Sequence, residues 1–262
     1  MSFVTLTTDF GIKDGNVGVM KGVIWGIAPD AQIADISHSI SPQNIREGTL
    51  ILARSVPYYP SGSIHVAVVD PGVGTQRRPI AARLGAQRFV GPDNGLITLL
   101  LERAERELWP VEIVHLDKPQ YWLPDVSYVF HGRDIFAPVA GYLAAGVSLE
   151  MLGSPIDDPV RLQLPRPERT ESGLRGEVIH IDHFGNISTN IRYEHLSEGL
   201  NTTVRLGGIE VHGLVKTFGE RPAGELIALY GSTGNLLVAV VNGSASQRLN
   251  TKVGDEVEVE VS

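Results

Sequence analysis

The chain has 262 residues, of which 42% are hydrophobic and 20% are charged, an ordinary balance for a globular protein. Its formal net charge of -8, without a dense block of Lys or Arg, argues against a protein that binds nucleic acid. The absence of cysteine excludes disulfides and thiolate chemistry, and no window reaches the ~18 apolar residues of a membrane span. We therefore expect a soluble, cytoplasmic protein that acts on a small molecule and not on nucleic acid or a membrane.

The first 150 residues alternate between segments with the apolar periodicity of strands and segments with that of helices. Strands are predicted over residues 3–7, 32–36, 64–69 and 111–116, with a short antiparallel pair over 80–84 and 88–90. Helices are predicted over residues 17–27, 42–55, 96–102 and 135–145, and Asp14 and Ser41 are the expected N-caps of the first two. This alternation predicts an α/β domain whose sheet is mostly parallel and covered by helices on both faces.

The pattern changes near residue 153, where a proline-rich stretch interrupts the alternation. Beyond it, strands are predicted over residues 174–182, 204–206, 209–211, 226–230, 236–241 and 253–261. A segment of this length and pattern closes most naturally as a small β-barrel or sandwich. We therefore predict an N-terminal α/β domain over 1–153, a linker over 154–172 and a smaller all-β C-terminal domain over 173–262.

The most informative stretch follows the predicted strand 64–69. Asp70 stands there before Pro71 and two glycines, and Arg77 and Arg78 follow within eight residues. Ligands of open α/β sheets bind beyond the carboxyl ends of the strands, so this carboxylate is a candidate functional group. On this stretch alone, an aspartate that ends a strand and pairs with a surface arginine explains the pattern equally well.

Six short motifs occur in order along the whole chain, at residues 8–11, 70–75, 92–96, 130–134, 181–186 and 241–244. In this order and spacing, the chain resembles the S-adenosyl-L-methionine (SAM) hydroxide adenosyltransferases, or SAM hydrolases, which are relatives of the SAM-dependent fluorinase and chlorinase. The resemblance implies hydrolysis of SAM to adenosine and L-methionine, with SAM as the substrate and no cofactor. It also implies a homotrimer whose active sites join the N-terminal domain of one subunit to the C-terminal domain of its neighbour.

The resemblance assigns the handling of water to Asp70, Arg77 and His131. The halogenases have Tyr at the position of Asp70, lack the histidine and carry an insertion that is absent here, so the hydrolase branch is the better match. SAM already contains a good leaving group, and the chemical task is therefore to position and activate water. The sequence leaves open whether Asp70 or His131 takes the proton. Arg78 is expected to form a surface ion pair.

The resemblance also implies contacts to SAM in both domains. Asp9 matches the carboxylate that bridges the two ribose hydroxyls, and Asp182 and Asn186 match positions that hold the methionine amine and the adenine edge. The spacing between Asp182 and Asn186 differs by one residue between the branches of the family.

Two turns of the C-terminal domain complete the set. Ser232 matches a serine that meets the methionine carboxylate, although the arginine that follows it in the fluorinase is Thr233 here. The loop whose backbone meets adenine corresponds to Asn242, Gly243 and Ser244.

Other functions stay open from the residues. A SAM:halide adenosyltransferase of the chlorinase kind is one, although Asp70 and His131 argue against it. A SAM- or adenosine-binding protein without turnover would not need the Asp–Arg–His set. A metal-dependent hydrolase would have to use Asp9, Asp14 and Asp35, but no pair of histidines has metal-ligand spacing, so no metal site is expected.

Overall fold

The computed structural model describes residues 2–196 and 202–261, and the chain divides into two compact units, Met1–Gln163 and Leu164–Ser262. Each unit contains a sheet of its own. The first two residues of the stretch predicted as a linker, Ser154–Pro155, pair with the sheet of the first unit. In the described part of the chain, no helix is both long enough and apolar enough to cross a bilayer.

The sheet of the first unit has, in its described residues, seven strands in the spatial order β2-β1-β3-β5-β4-β6-β7. They are β1 Phe3–Thr8, β2 Gln32–Ser37, β3 Ile64–Val68, β4 Pro79–Leu84, β5 Gln87–Pro92, β6 Val111–His115 and β7 Ser154–Pro155. The pairings β2–β1, β1–β3 and β3–β5 are parallel, and the other three are antiparallel. The sheet is therefore mixed, and the prediction of a mostly parallel sheet is correct only for the half that carries β1 and β3.

One tight turn causes the antiparallel half. A glycine at φ 58°, Gly85, joins β4 to β5, and a connection this short can only link antiparallel strands. β6 then adds to the free edge of β4, and β7 adds to β6, both antiparallel. The hairpin itself is correctly predicted, but its effect on the direction of half the sheet is not.

Helices pack on both faces of this sheet. They are α1 Asn16–Ile27, α2 Ile45–Ser55, α3 Thr98–Arg106 and α4 Ala137–Ala144. One core joins α1 and α4 to the face that carries Val68, and a second core joins α2 and α3 to the face that carries Ala67 and Val69. Because both faces of β3 are buried, its sequence is apolar except for His65, which is itself buried.

Neither predicted N-cap is used. Asp14 is followed by a glycine in the left-handed conformation, and α1 begins without a side-chain cap. α2 begins after Asn44, whose side chain accepts the N–H of Glu47 at 3.0 Å, and not after Ser41. The reason is the backbone of Gln43, whose φ of 64° turns the chain after Ser41 and delays the start of the helix.

The second unit is an antiparallel near-barrel, which confirms the predicted β architecture. Its described strands are β8 Glu168–Arg169, β9 Gly173–Ile181, β10 Ile187–Arg192, β11 Thr202–Leu206, β12 Ile209–His212, β13 Leu226–Tyr230, β14 Asn235–Val240 and β15 Glu256–Val261. Their order is β12-β11-β15-β9-β10-β14-β13, with β8 paired to β9. Beside the seam between β12 and β13, Leu214 pairs with Ala228.

Two elements of this unit are not predicted from the sequence, β10 and the short helix α5, Ala245–Leu249. β10 buries two polar residues, Ser188 and Thr189, which hide the alternation that is typical of strands. The structure tolerates the burial of Thr189 because its hydroxyl donates to the carbonyl of Leu236 at 3.0 Å.

Candidate active site

Two aspartates follow the carboxyl ends of neighbouring strands of the first sheet. In the parallel pair β1–β3, Thr8 lies opposite Val68, so Asp9 and Asp70 follow the carboxyl ends of adjacent strands. The Asp70 side chain is only 5% exposed. Ligands of open α/β sheets bind at this edge, and both residues are therefore in a position to meet one.

Arg77 holds the Asp70 carboxylate with two of its nitrogens. Nε lies 2.9 Å and 3.0 Å from the two carboxylate oxygens, and Nη2 lies 2.5 Å from Oδ2. Two consecutive turns bring the arginine back to the strand end, closed by the N–H of Val73 on the Asp70 carbonyl and the N–H of Thr75 on the Gly72 carbonyl. The result is a nearly buried, charge-assisted pair, which is strong and geometrically specific.

The same arginine reaches His131, which comes from a loop more than 50 residues later in the chain. Nη2 of Arg77 lies 2.9 Å from Nδ1 of His131. A guanidinium can only donate hydrogen bonds, so Nδ1 accepts, and the neutral ring then carries its proton on Nε2. Burial lowers the pKa of His131 most, the Arg77 cation lowers it further, and the carboxylates of Asp70 and Asp134 oppose the shift. The imidazole is therefore held in its neutral form.

The remaining nitrogen of Arg77, Nη1, is buried and has no hydrogen-bond partner among the described residues. The guanidinium lies over the ring of Phe136, with 5.3 Å from Cζ to the ring centroid. An unpaired buried N–H costs about 1–3 kcal/mol. This donor is therefore suited to a ligand or to the oxygen of a reacting water.

The loop that carries His131 is tied down by buried Asp134. This carboxylate accepts the backbone N–H of Ser127 at 2.9 Å and its hydroxyl at 2.8 Å, and it also pairs with Arg133 at 2.5 Å. The π-helix Gly132–Phe136 begins immediately after the histidine, and such turns are frequent at functional sites. These contacts fix the side from which His131 approaches Arg77.

The loops of the site touch each other. Gly74 has a φ of 75°, and a Cβ on it would lie 2.2 Å from the carbonyl oxygen of Tyr128, so only glycine fits. The rings of Phe10 and Phe130 meet edge to face, with centroids 5.7 Å apart. The structure thus brings Asp9, Asp70, Arg77 and His131 to one edge of the first unit.

Asp9 is oriented by a backbone contact that the sequence does not indicate. Its Oδ2 accepts the N–H of Gln43 at 2.8 Å. Gln43 has a φ of 64°, which is uncommon for a residue with a side chain, and such strain concentrates at functional sites. Glutamine carries no sequence signal for a left-handed backbone, whereas glycine or asparagine would.

Arg78 points away from this cluster. Its Nε lies 2.9 Å from Oδ2 of Asp93, and its Nη1 lies 2.7 Å from Oδ1 of Asp158. The expected ion pair is therefore present, and the two neighbouring arginines have different environments.

In the second unit, the structure brings Asp182, Asn186 and Ser244 together. The Asp182 carboxylate accepts the N–H of Phe184 at 2.9 Å, the N–H of Asn186 at 2.9 Å and the amide Nδ2 of Asn186 at 2.8 Å. A Cβ on Gly185 would lie 2.0 Å from the Ser244 hydroxyl, so this turn packs tightly on the loop that contains Ser244. These hydrogen bonds show that Asp182 stabilises the turn that connects it to Asn186.

Asn242 and Gly243 follow the end of β14 beside Ser244, and Asn242 has a φ of 55°. Ser232 precedes the start of β14, in a turn closed by the N–H of Gly234 on the carbonyl of Gly231. It therefore lies near the opposite end of that strand and is not part of the same cluster.

Among the residues that the structure describes, no group of three or more His, Asp or Glu side chains is placed so that it could hold a metal ion. Asp35, one of the three carboxylates of the metal-hydrolase alternative, contacts Lys21 at 2.6 Å and His38 at 3.1 Å. Asp9, the second of these carboxylates, accepts a hydrogen bond from the backbone N–H of Gln43.

Comparison with known proteins places this arrangement in context. A family model described as the SAM hydroxide adenosyltransferase N-terminal domain matches residues 4–153, and one described as the C-terminal domain of the same family matches residues 176–258. The chain is 40% identical to an (R)-S-adenosyl-L-methionine hydrolase of Salinispora tropica, covering 98% of this chain and 97% of that protein.

Two further (R)-S-adenosyl-L-methionine hydrolases and one fluorinase are also similar to this chain over nearly their whole length. The chain is 40% identical to the (R)-S-adenosyl-L-methionine hydrolase of Thermus thermophilus, over 98% of both proteins, and 35% identical to that of Methanocaldococcus jannaschii, over 99% and 96%. A fluorinase of Nocardia brasiliensis is 28% identical over 98% and 96%. A crystal structure of an uncharacterized conserved protein from Thermotoga maritima superimposes with a TM-score of 0.90 at 37% identity, over 99% of both chains.

Proposed function

Since the chain belongs to the SAM hydroxide adenosyltransferase family, we propose that it hydrolyses SAM to adenosine and L-methionine, with water attacking C5′ of the ribose. It is an enzyme of the hydrolase branch, because the relatives at 40% identity are hydrolases whereas the fluorinase is at 28%. The observation that supports a water-activating site most directly is the contact of Arg77 with both Asp70 and His131.

The reaction itself needs little covalent help from the protein. The water oxygen forms a bond to C5′ as the C5′–S bond breaks, the electron pair of that bond goes to sulfur, and neutral methionine leaves. One proton of the water must depart. Proton transfer to a positioned base contributes ~10² to 10⁴-fold, and alignment of the reacting atoms can contribute ~7 to 11 kcal/mol. We therefore expect that positioning outweighs basicity in this enzyme.

We assign the proton to Asp70. His131 accepts from Arg77 through Nδ1 and carries its own proton on Nε2, so neither nitrogen is free to take another. A carboxylate keeps lone pairs beyond those that Arg77 uses, and the thioether leaves so readily that a weak base suffices once C–O bond formation has begun. The unpaired Nη1 of Arg77 donates to a lone pair of the water oxygen and fixes the direction from which it attacks C5′.

The substrate contacts extend the same proposal. Asp9 binds the ribose hydroxyls next to the water site, and Asn186 with the loop Asn242–Ser244 binds adenine. Asp182 binds the methionine amine, whereas the position of Ser232 near the opposite end of β14 argues against its expected contact with the methionine carboxylate. The protein acts as a homotrimer in the cytoplasm, and each active site combines the first unit of one subunit with the second unit of its neighbour. The support is the family resemblance, together with two residue groups that each belong to one unit.

Incubation of the purified protein with SAM in ¹⁸O-labelled water tests the function. We expect adenosine that carries one ¹⁸O at the 5′ position and unlabelled methionine, both measured by liquid chromatography and mass spectrometry. Adenosine without label, or the absence of products, would contradict hydrolysis. The same assay with added chloride tests the halide alternative, since a 5′-chloro product would reveal a chlorinase. Binding of SAM without any product would identify a binding protein.

A further inference from the structure

A second histidine, His38, is buried beside Asp9 and takes no part in the proposed reaction. It follows β2 and is 7% exposed. Its Nδ1 lies 2.9 Å from the hydroxyl of Thr8, the residue before Asp9, and its Nε2 lies 3.1 Å from Oδ1 of Asp35. The other oxygen of Asp35 accepts from Lys21 at 2.6 Å. A line of polar contacts therefore runs from α1 through β2 to the end of β1.

One extra residue in β2 aims that histidine at β1. The partner of Leu6 is Asp35, but the next residue of β1 is paired with Ser37, so Ile36 is bulged out of the register. In a regular ladder, Thr8 would lie opposite Ser37. The bulge moves the following residue, the histidine, to that place. Bulges beside active sites commonly re-aim a side chain in this way.

The loop that carries Asp9 is tied to His38 at several points. The Thr8 hydroxyl accepts the N–H of Phe10 at 3.2 Å, and the N–H of Gly11 donates to the carbonyl of His38 at 2.8 Å. The Nε2 of His38 lies within ion-pair distance of Asp35 but makes no hydrogen bond among the described residues, so the hydrogen bond between Nδ1 and the Thr8 hydroxyl is the contact that holds the ring. The residues on both sides of Asp9 are thus tied to one buried side chain and its backbone.

We propose that His38 is a positioning residue for Asp9. The contacts Asp35–His38–Thr8 hold the loop in the geometry in which the Asp9 carboxylate meets the ribose hydroxyls of SAM. The inference rests on the proposed function for the identity of this ligand. A binding group whose supporting residues are themselves locked by hydrogen bonds loses less freedom when the ligand arrives.

β1 offers a matched control for a purely structural role. Thr5 makes the same kind of contact with His65 of β3, with 2.8 Å between Oγ1 and Nδ1, and both residues are 0% exposed. This pair lies three residues earlier in the strand and is not connected to Asp9. Thr→Val keeps the shape of the side chain and removes the hydroxyl at either position.

The experiment compares Thr8→Val, Thr8→Ser, Thr5→Val and His38→Asn with the wild-type protein. We expect Thr8→Val and His38→Asn to weaken adenosine binding and raise KM for SAM about tenfold, equivalent to about 1.4 kcal/mol. The value of kcat should change less than about threefold, because the loss is in binding. Thr8→Ser keeps the hydroxyl and should restore affinity, and Thr5→Val should lower Tm while leaving affinity unchanged.

Unchanged affinity in Thr8→Val, or an equal loss in Thr5→Val, would overturn the inference. A wild-type protein that neither binds adenosine nor hydrolyses SAM would refute the proposed function instead. Amide hydrogen exchange then still tests the hold on the loop, because His38→Asn keeps the Thr8 hydroxyl that accepts the N–H of Phe10 and should nevertheless accelerate exchange at Phe10 and Gly11, whereas Thr5→Val should not. Equal exchange in the two variants would show that His38 does not position this loop.

Discussion

Arg77 donates through a single nitrogen to both Oδ2 of Asp70 and Nδ1 of His131, at 2.5 Å and 2.9 Å. Because the cation can only donate, this shared contact gives the cluster a direction. The carboxylate is the acceptor for a proton, and the imidazole presents an N–H. The three residues are therefore not interchangeable, and the variants below should separate their roles.

The two neighbouring arginines provide a matched pair. Arg77→Lys should lower kcat at least ~100-fold, because an ammonium cannot hold the carboxylate with two nitrogens and also reach His131. Arg78→Lys should keep activity and lose about 1 kcal/mol of stability, since it only weakens the ion pairs with Asp93 and Asp158. Steady-state kinetics and thermal unfolding measure both. Equal activity in the two variants would remove Arg77 from the mechanism.

Asp70→Asn keeps the size of the side chain and removes the proton acceptor. We expect kcat to fall ~10² to 10⁴-fold, the usual contribution of a general base, while the Kd of adenosine stays within a factor of about three. Calorimetry and single-turnover kinetics provide the two readouts. Turnover at the wild-type rate would show that Asp70 does not take the proton, and a parallel loss of adenosine binding would show that the variant damages the whole edge of the sheet.

The pH profile should report on His131. Burial and the Arg77 cation lower its pKa, and protonation would direct an N–H of the ring at an N–H of the arginine. Activity should therefore be flat through the ordinary imidazole pKa of about 6.5 and decline only at lower pH. A profile of kcat/KM from acid to neutral pH tests this, with His131→Asn as the variant that cannot titrate. A decline that begins above 6.5 in the wild-type protein would contradict the assignment.

Stability should fall in acid through a different histidine. Burial lowers the pKa of His65 from 6.5 to about 4, opposed by the hydrogen bond to Gln87. Between these values the unfolded chain binds a proton that the folded chain does not, so the free energy of unfolding decreases as pH falls from 6.5 toward 4. The full effect is about 3 kcal/mol. Urea unfolding at several pH values should show it, and His65→Gln should have a flatter dependence. Parallel curves for the two proteins would exclude His65 as the cause.

A pair of glycines separates backbone strain from loop contact. Gly62 and Gly74 both have left-handed φ values, 84° and 75°, but only a Cβ on Gly74 would strike another atom, the carbonyl oxygen of Tyr128. Gly62→Ala should cost about 1–2 kcal/mol of stability with normal kcat. Gly74→Ala should cost more and also reduce kcat, because the loop before His131 must move. If Gly74→Ala affects only stability, the contact between the two loops is not needed for activity.

Much of the fold could be predicted because its signals are local. The apolar run before Asp70 indicates a strand buried on both faces, and the turn residues after it place the carboxylate at the strand end. The mixed direction of the sheet could not be predicted, because it depends on which neighbour the β4–β5 hairpin joins. The N-cap of α2 could not be predicted for a related reason, since residue type does not indicate the left-handed backbone of Gln43.

The candidate site could be assembled only in part. Asp70 and Arg77 are close in sequence, but the contact of Arg77 with His131 spans 54 residues and follows from packing that no local pattern contains. The tautomer of His131, the unpaired Nη1 of Arg77 and the register shift that aims His38 all depend on distances of tenths of an ångström or on the pairing of two strands. Motif spacing does not contain this information.

The bulge at Ile36 has one more consequence, because β2 is the outermost strand on its side of the sheet. A regular outer strand presents an unbroken row of N–H and C=O groups, onto which a strand of another molecule can add. An irregular one interrupts that row, and natural proteins use such interruptions to resist aggregation. Deleting Ile36 would therefore do more than turn His38 away from Thr8. It would also straighten an exposed edge, so the shortened protein should be less soluble as well as weaker in ligand binding.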